Sequence, residues 1–532
     1  MKSKFKWLNS TRIAVILCVF TMVIYWLSYM EIKNIEYPLK DEIPKYSAYV
    51  QQFDAFMKGQ LHIDWEVDEK LLEMENPYNY EEREKIKVDY LFDRAYYDEK
   101  YDSYFITPIV TVTKVDYLFD RAYYDGKYYS YFGITPIITV MFPFYLLSGM
   151  LPAPLLVQFI YMLIFAIFFP KLVMMLLDKY SKKTPAGLKI LLTYIAYLSS
   201  FNLLIGRGTQ PFYYIASTAA IAFLTWFAYL FFKGIYTENH KKRCIYFLAA
   251  GLMFSLSFHA RVIKAFTGVF FIVPVVIFYL ILGKQTWKKK LIELGCLSFF
   301  VVIGFVFSFA YNYARFDDIF EFGANYQLTM TDVTEYKLDI SEFDDAVEYY
   351  YKAELIDNMM NDKWEFMRDK LKLTSYNRGS VDRFLYVSEY FGLYAVPFMI
   401  FSLMAIVIVF LKKNSWSYKI TLLSTVVGGF IMAWLDFCLG GVHFRYLTDF
   451  STEIAVCSAL VVLYILEMSY SLKNKKVAML VKTFIVIMLV VSIYKAFQII
   501  VIDSINLFDI KDETIIERLF NVNNSIFDGY VK

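Results

Sequence analysis

The chain has 532 residues, 58% of them hydrophobic, 20% aromatic and 20% charged, with a formal net charge of +2. A soluble chain of this length carries more charge and divides into several water-facing domains, so the composition excludes an ordinary soluble enzyme. The five cysteines, Cys18, Cys244, Cys296, Cys438 and Cys457, lie in or beside apolar blocks and supply neither a disulfide framework nor metal-ligand spacing.

The apolar residues come in blocks of about twenty, the length that crosses a hydrocarbon layer of ~30 Å as a helix. The first block, Ile13 to Tyr29, follows Lys2, Lys4, Lys6 and Arg12 as in a signal peptide. It lacks a small-residue cleavage site and is long enough to span, which predicts an uncleaved first helix. Basic clusters mark the cytoplasmic side. They stand before Ile13 and at Lys179–Lys183, Lys241–Arg243, Lys288–Lys290, Lys412–Lys413 and Lys473–Lys476. Crossings at 13–29, 153–177, 187–205, 211–232, 244–260, 265–282, 291–311, 391–411, 420–439, 450–468 and 477–500 put all six inside. The stretch Ile134–Met150 is apolar but short and interrupted by Pro136 and Pro143; as a crossing it would invert every later cluster, so a bent re-entrant or interfacial element is expected.

The predicted fold is thus an all-α polytopic membrane protein of about eleven transmembrane helices. It divides into a cytoplasmic N-terminus with the first helix (1–29), a first extracytoplasmic loop (30–133), a helix bundle (134–311), a second extracytoplasmic loop (312–390), C-terminal helices (391–500) and an extracytoplasmic tail (501–532). The first loop holds 22 acidic and 13 basic side chains; acidic loops speak against nucleic-acid binding. Within it, Pro44 to Gln60 reads as a helix with an apolar stripe of Tyr46, Val50, Phe53 and Met57.

The same loop carries a tandem repeat, 88–112 and 115–140. Val88–Phe105 recurs 27 residues on as Val115–Phe132, identical at 16 of 18 positions. The second copy has the turn dipeptide Asp125-Gly126, and Gly133 before the next apolar run; the first has Glu99 and Asp102 in place of Gly126 and Tyr129, and nothing equivalent to Gly133. The second copy is therefore expected to be the working one.

No phosphate-cradling glycine loop, zinc-type histidine pair or nucleophile elbow is present, and His62, His240, His259 and His443 are scattered. Four arginines stand at predicted outer helix ends against the usual inside bias: Arg207, Arg261, Arg315 and Arg445. Their planar donor forks suit phosphate oxygens, although snorkelling or pairing with loop carboxylates is the plainer account. Asp54 in QQFDAFMKGQ and Asp120 in LFDRAYYDGKYY are the candidate proton acceptors, since aromatic neighbours that desolvate a carboxylate raise its affinity for a proton; each also reads as an ordinary surface acid. Asp436 and Glu453 lie in apolar runs, where an ionised side chain costs ~2.5–3.5 kcal/mol at the helix centre. Near the outer ends they are expected to pack helices or pair with Arg445. Lys482 and Lys495 are expected to snorkel.

The runs FDAFMKGQLHID, ENPYNYEER, DRAYYDGKYYSYFGITPIITVMFPFYLLSG, GLMFSLSFHARVIKAF, FSFAYNYARFDDIFEFGANYQLTM and FRYLTDF, in this order between about 46 and 460, resemble a family of bacterial multipass proteins of the GT-C glycosyltransferase type. Val262 stands where that pattern suggests proline. The resemblance implies a bacterial plasma-membrane enzyme that moves a sugar from a polyprenyl-phosphate donor to an envelope acceptor at the outer face. It places a catalytic aspartate in the first outer loop, here Asp54 or Asp120, with Asp41-Glu42 a weaker third. Arg261, Arg445, Arg207 and Lys127 would hold the donor phosphate; Tyr123, Tyr124, Tyr128, Tyr129 and Gln327 would contact sugar or acceptor. No cofactor is identifiable and no metal ligands are assigned, a divalent metal being left open; polyprenyl-phosphate sugar and membrane lipid are the implied partners. The competing classes are a transporter or flippase for a lipid-linked glycan, and a non-enzymatic membrane scaffold.

Overall fold

The computed structural model describes residues 9–32, 47–80, 83, 88–91, 115–205, 211–329, 332, 356–357, 374–375, 386–388, 392–411 and 415–508. Among them, nine helices are long and apolar enough to cross a membrane. The chain is an α-helical, multi-pass membrane protein.

In chain order, α1 (Ser10–Ile32) is followed by the short helices α2 (Ala48–Met57) and α3 (Glu69–Leu72). Strand β1 (Val88–Leu91) runs parallel to β2 (Val115–Leu118), in register at the same position of the two repeat copies, Val88 opposite Val115. Strands β3 (Ala122–Tyr124) and β4 (Lys127–Tyr129) form an antiparallel hairpin. Its two turn residues, Asp125 and Gly126, have φ of 48° and 67°, as a tight two-residue turn requires. Glu99 at the equivalent place in the first copy would carry a Cβ into that left-handed conformation. The second copy's turn thus has the residue types that this geometry selects.

The proline-broken stretch is a π-turn (Ile137–Met141) running into α4 (Phe142–Ser148). Together these make one apolar helix of twelve residues, Ile137–Ser148, which is too short to span. Then come α5 (Pro154–Tyr180), α6 (Ala186–Ser199), α7 (Asn202–Ile205), α8 (Pro211–Tyr236), α9 (His240–Ala260), α10 (Val262–Leu282) and α11 (Trp287–Phe316). The second half holds α12 (Pro397–Ile400), α13 (Met404–Val409), α14 (Trp416–Gly440), α15 (Phe444–Ser471) and α16 (Lys475–Phe508). Two predicted crossings, 187–205 and 391–411, coincide with shorter apolar helices, Ala186–Ser199 and Pro397–Val409. The latter is interrupted by a 3-10 turn at Phe401–Leu403.

Helix α9 packs between α8 and α11, α5 against α8 and α1, and α10 against α14, which in turn meets α15. One apolar core runs through this bundle. A second, small core of Ile63, Leu71, Tyr117, Leu118, Tyr123, Tyr128 and Leu328 unites the first-loop segments with the chain leaving α11. Backbone bonds seal that union: Asp120 N–H donates to Leu328 O at 2.9 Å, Leu328 N–H to Arg121 O at 3.0 Å, and Tyr123 N–H to Tyr326 O at 2.9 Å.

The buried face of α2 differs from the apolar stripe read in the sequence. Tyr49, Gln51, Gln52 and Phe53 are inside, while Met57 is exposed. The glutamines are why hydropathy missed this face. Arg121 Nε donates to Gln51 Oε1 at 2.9 Å, and Gln52 Nε2 donates to the Tyr311 hydroxyl at 3.0 Å, so the two amides tie α2 to the hairpin and to α11.

Candidate functional site

A cavity of about 610 Å³ opens at one end of the bundle. The C-terminal ends of α9, α11 and α14 meet there with the N-terminal parts of α8, α10 and α15, and the segments after β4 and α11 complete the wall. Helices that alternate in direction deliver these six ends to the same side. The first turns of α10 and α15 face the cavity through Val262, Ile263, Arg445 and Tyr446, and helix N-termini favour anionic groups.

Gly133 sets the wall. A Cβ on it would lie 2.1 Å from His259 O and 2.5 Å from Ala260 O, so only glycine lets the chain after β4 lie against the end of α9. The equivalent residue of the first repeat copy is Ile106, whose side chain that contact has no room for.

Three guanidiniums line the cavity, those of Arg261, Arg315 and Arg445, together with one carboxylate, Asp436. Arg261 sits in the backbone break between α9 and α10. Its Nη2 lies 2.7 Å from Asp449 Oδ2 and its Nη1 donates to Ser217 Oγ at 2.7 Å. The Tyr446 ring is 5.3 Å from the Arg261 guanidinium and 5.1 Å from that of Arg445, whose Nη2 donates to the Tyr446 hydroxyl at 3.3 Å. Cations over an aromatic face are held with little loss of charge for a ligand. Arg315 Nη1 donates to Ser130 O at 2.8 Å and Nη2 to Asn312 Oδ1 at 3.0 Å, with Tyr311 beneath at 3.9 Å.

Behind Arg261 lies a buried charge cluster. Lys264 Nζ donates to Asp449 O at 2.5 Å and Thr448 O at 3.2 Å, and is 3.4 Å from Glu453 Oε2. Thr267 Oγ1 also donates to Asp449 O, at 2.8 Å. These contacts staple α10 to α15. The expected pairing of Glu453 with Arg445 is replaced by pairing with Lys264.

The residues singled out by sequence separate into those the cavity gathers and those it does not. Arg261, Arg445 and Gln327 line it. Asp120 is one side chain back: it is buried, has φ of 57°, and accepts a hydrogen bond from the Tyr131 hydroxyl at 3.1 Å on each carboxylate oxygen. Tyr131 itself lines the cavity. Asp54 is not brought there. It is on the exposed side of α2, its side chain 54% accessible and paired at 2.8 Å with Lys58, which also contacts Asp64 at 2.6 Å. Hydrogen bonds that the Lys58 ammonium donates to Asp54 and Asp64 hold it above its ordinary range.

The four tyrosines are structural neighbours of the cavity and none lines it. Tyr123 and Tyr128 fill the small core, their rings 5.7 Å apart. Tyr124 and Tyr129 pack edge-on against Phe316 at 5.8 and 5.3 Å. Burial pushes the hydroxyls of Tyr123, Tyr128 and Tyr129 up from the usual phenol range, so they stay protonated. Lys127 is exposed in the hairpin turn, away from the cavity lining. Arg207, Asp41 and Glu42 lie outside the described residues. Sequence reading passed over Tyr131, Tyr446, Asp449 and Lys264, although two of these four, Tyr446 and Asp449, sit in the FRYLTDF run. Among the described residues no group of three or more His, Cys, Asp and Glu side chains is placed to hold a metal ion.

No family model, curated protein or solved structure matches the chain.

Proposed function

We propose that the protein is a membrane glycosyltransferase that moves a sugar from a polyprenyl-phosphate donor to an envelope acceptor. The observation that carries this reading is the arginine-lined cavity at one end of a membrane helix bundle, a set of donors suited to a lipid phosphate. The reading takes eleven crossings, a cytoplasmic N-terminus and a cavity on the extracytoplasmic face of a bacterial plasma membrane. Arg445 and Arg261 hold the donor phosphate, with Asp449 sharing or yielding the Arg261 fork.

The acceptor hydroxyl attacks the anomeric carbon, and the carbon–oxygen bond to phosphate breaks with its electron pair leaving on the lipid phosphate. The proton passes from the acceptor oxygen to the Tyr131 oxygen while the Tyr131 proton moves to Asp120. This relay is favoured by the 3.1 Å contacts from the Tyr131 hydroxyl to both Asp120 oxygens. Incubating purified protein with a panel of polyprenyl-phosphate sugars is the test. Donor consumption with release of polyprenyl phosphate is expected, and it should collapse in Tyr131→Phe. An inert wild-type protein across the panel would remove the enzyme reading.

A transporter for a lipid-linked glycan has its own supporting observation. Lys264 pairs with Glu453 and donates to the Asp449 backbone carbonyl inside membrane-length helices, and α12–α13 is a broken apolar helix; both features suit transporters. Proteoliposomes separate the two: movement of an unaltered lipid-linked glycan across the bilayer supports transport, and a changed donor supports transfer.

A further inference from the structure

Asp436 is the one carboxylate in the cavity lining among the described residues. It stands near the end of α14, 2% exposed, and its Oδ2 is buried and accepts no hydrogen bond from any described residue. None of the three guanidiniums in the same lining donates to that oxygen. Arg261 is turned to Asp449 and Ser217, and Arg445 to the Tyr446 ring and hydroxyl. A buried acceptor left without a donor is unfavourable, and in a cavity wall such a group is completed by a ligand or a bound water.

Deepening the transferase reading, and resting on it, we infer that Asp436 binds a hydroxyl of the sugar carried by the lipid phosphate. The cavity thereby has two poles, guanidinium for the phosphate and carboxylate for the glycose. Its other charges point to a hydroxyl over an ammonium group: three arginines against one aspartate leave the lining cationic, which repels an amine. A carboxylate oxygen accepts readily from sugar hydroxyls, and the Tyr446 and Phe322 rings in the same lining offer apolar surface to the C–H face of a pyranose. Asp436 is thus a residue that reads the sugar, whereas Arg445 reads only the phosphate.

The test compares binding of bare polyprenyl phosphate with a panel of polyprenyl-phosphate hexoses, using the purified full chain in detergent or nanodiscs. Wild type should bind at least one hexose-bearing lipid about tenfold tighter than the bare phosphate, the upper range of what one added hydrogen bond supplies. Asp436→Ala should erase that ratio and leave the affinity for bare polyprenyl phosphate unchanged; Asp436→Asn, which keeps one acceptor, should fall between. Equal affinity of wild type for bare and sugar-bearing lipids overturns the inference while the phosphate site stands, and needs no variant that folds. A folded Asp436→Ala that still discriminates also overturns it. If wild type binds neither kind of lipid, the transferase reading falls first and the inference with it.

Discussion

At the opposite end of the bundle from the cavity, Glu293 is as deeply buried as Asp436, and the two carboxylates meet contrasting surroundings. Glu293 Oε1 lies 2.7 Å from His240 Nδ1 and 3.0 Å from Arg243 Nη1, and its Oε2 accepts from the Tyr279 hydroxyl. Arg243 spends its other donors on Thr237 and Gly234 carbonyls. Donor and acceptor are both used up, and α9, α10 and α11 are stapled together. At the cavity end Asp436 lines open volume, and its buried Oδ2 accepts no hydrogen bond from any described residue. A polar network that closes on itself stabilises; one that stops at a void is shaped for something that enters it.

That contrast breaks most visibly if the closed end is opened. Glu293→Ala strands the Arg243 guanidinium in the interior and should cost about 3–5 kcal/mol of stability, read as a lowered unfolding midpoint in detergent. The protein that stays folded should bind polyprenyl phosphate as wild type does. A parallel loss of affinity would mean that the two ends are coupled and that the division into a structural and a ligand end is wrong.

Next in size is Arg445→Ala at the open end. It should leave the helix bundle intact and weaken polyprenyl-phosphate binding roughly ten- to a hundredfold, the loss expected for one charge-assisted contact. Arg445→Lys should recover part of it, since an ammonium keeps the charge without the planar fork. Unchanged binding in Arg445→Ala would shift the phosphate onto Arg261 or Arg315.

The cavity wall supplies a third expectation. Gly133→Ala forces a methyl into the His259 and Ala260 carbonyls and should destabilise by about 1–3 kcal/mol. A shifted wall should also reduce ligand affinity, whereas the same substitution at Gly126, in the exposed hairpin turn, should affect stability alone. Equal behaviour of the two variants would detach the hairpin's docking from the cavity.

These residues also show how much of the fold and site the sequence carries. Membrane helices announce themselves in twenty-residue apolar blocks because hydrocarbon thickness fixes their length. The Asp125-Gly126 turn was readable because positive φ selects few residue types. The arginines at helix ends were readable because positive charge there breaks a compositional bias. What stayed hidden depends on pairs far apart in the chain. Gln52 meets Tyr311, Arg121 meets Gln51, and Arg261 meets Asp449; no local window contains both partners. The tyrosine-rich repeat invited a sugar-stacking account, yet its rings are needed to fill the small core above the bundle. Asp436 looked like a packing residue because an apolar run hides the difference between a satisfied carboxylate and an unfilled one.

Asp54 gives the smallest effect and the sharpest discrimination. It shares a helix with Gln51 and Gln52, but it points outward and pairs with Lys58 one turn on. Exposed pairs at this spacing contribute little, so Asp54→Asn should leave the unfolding midpoint nearly where it was. Sugar transfer should also persist, because the proton route proposed through Tyr131 and Asp120 does not include α2's outer face. Transfer that vanishes in Asp54→Asn, with donor binding and stability intact, would carry the chemistry out of the cavity and onto that face. The open end would then be a lipid-phosphate binding site alone, and the acceptor would have to approach from the side where Lys58 and Asp64 stand.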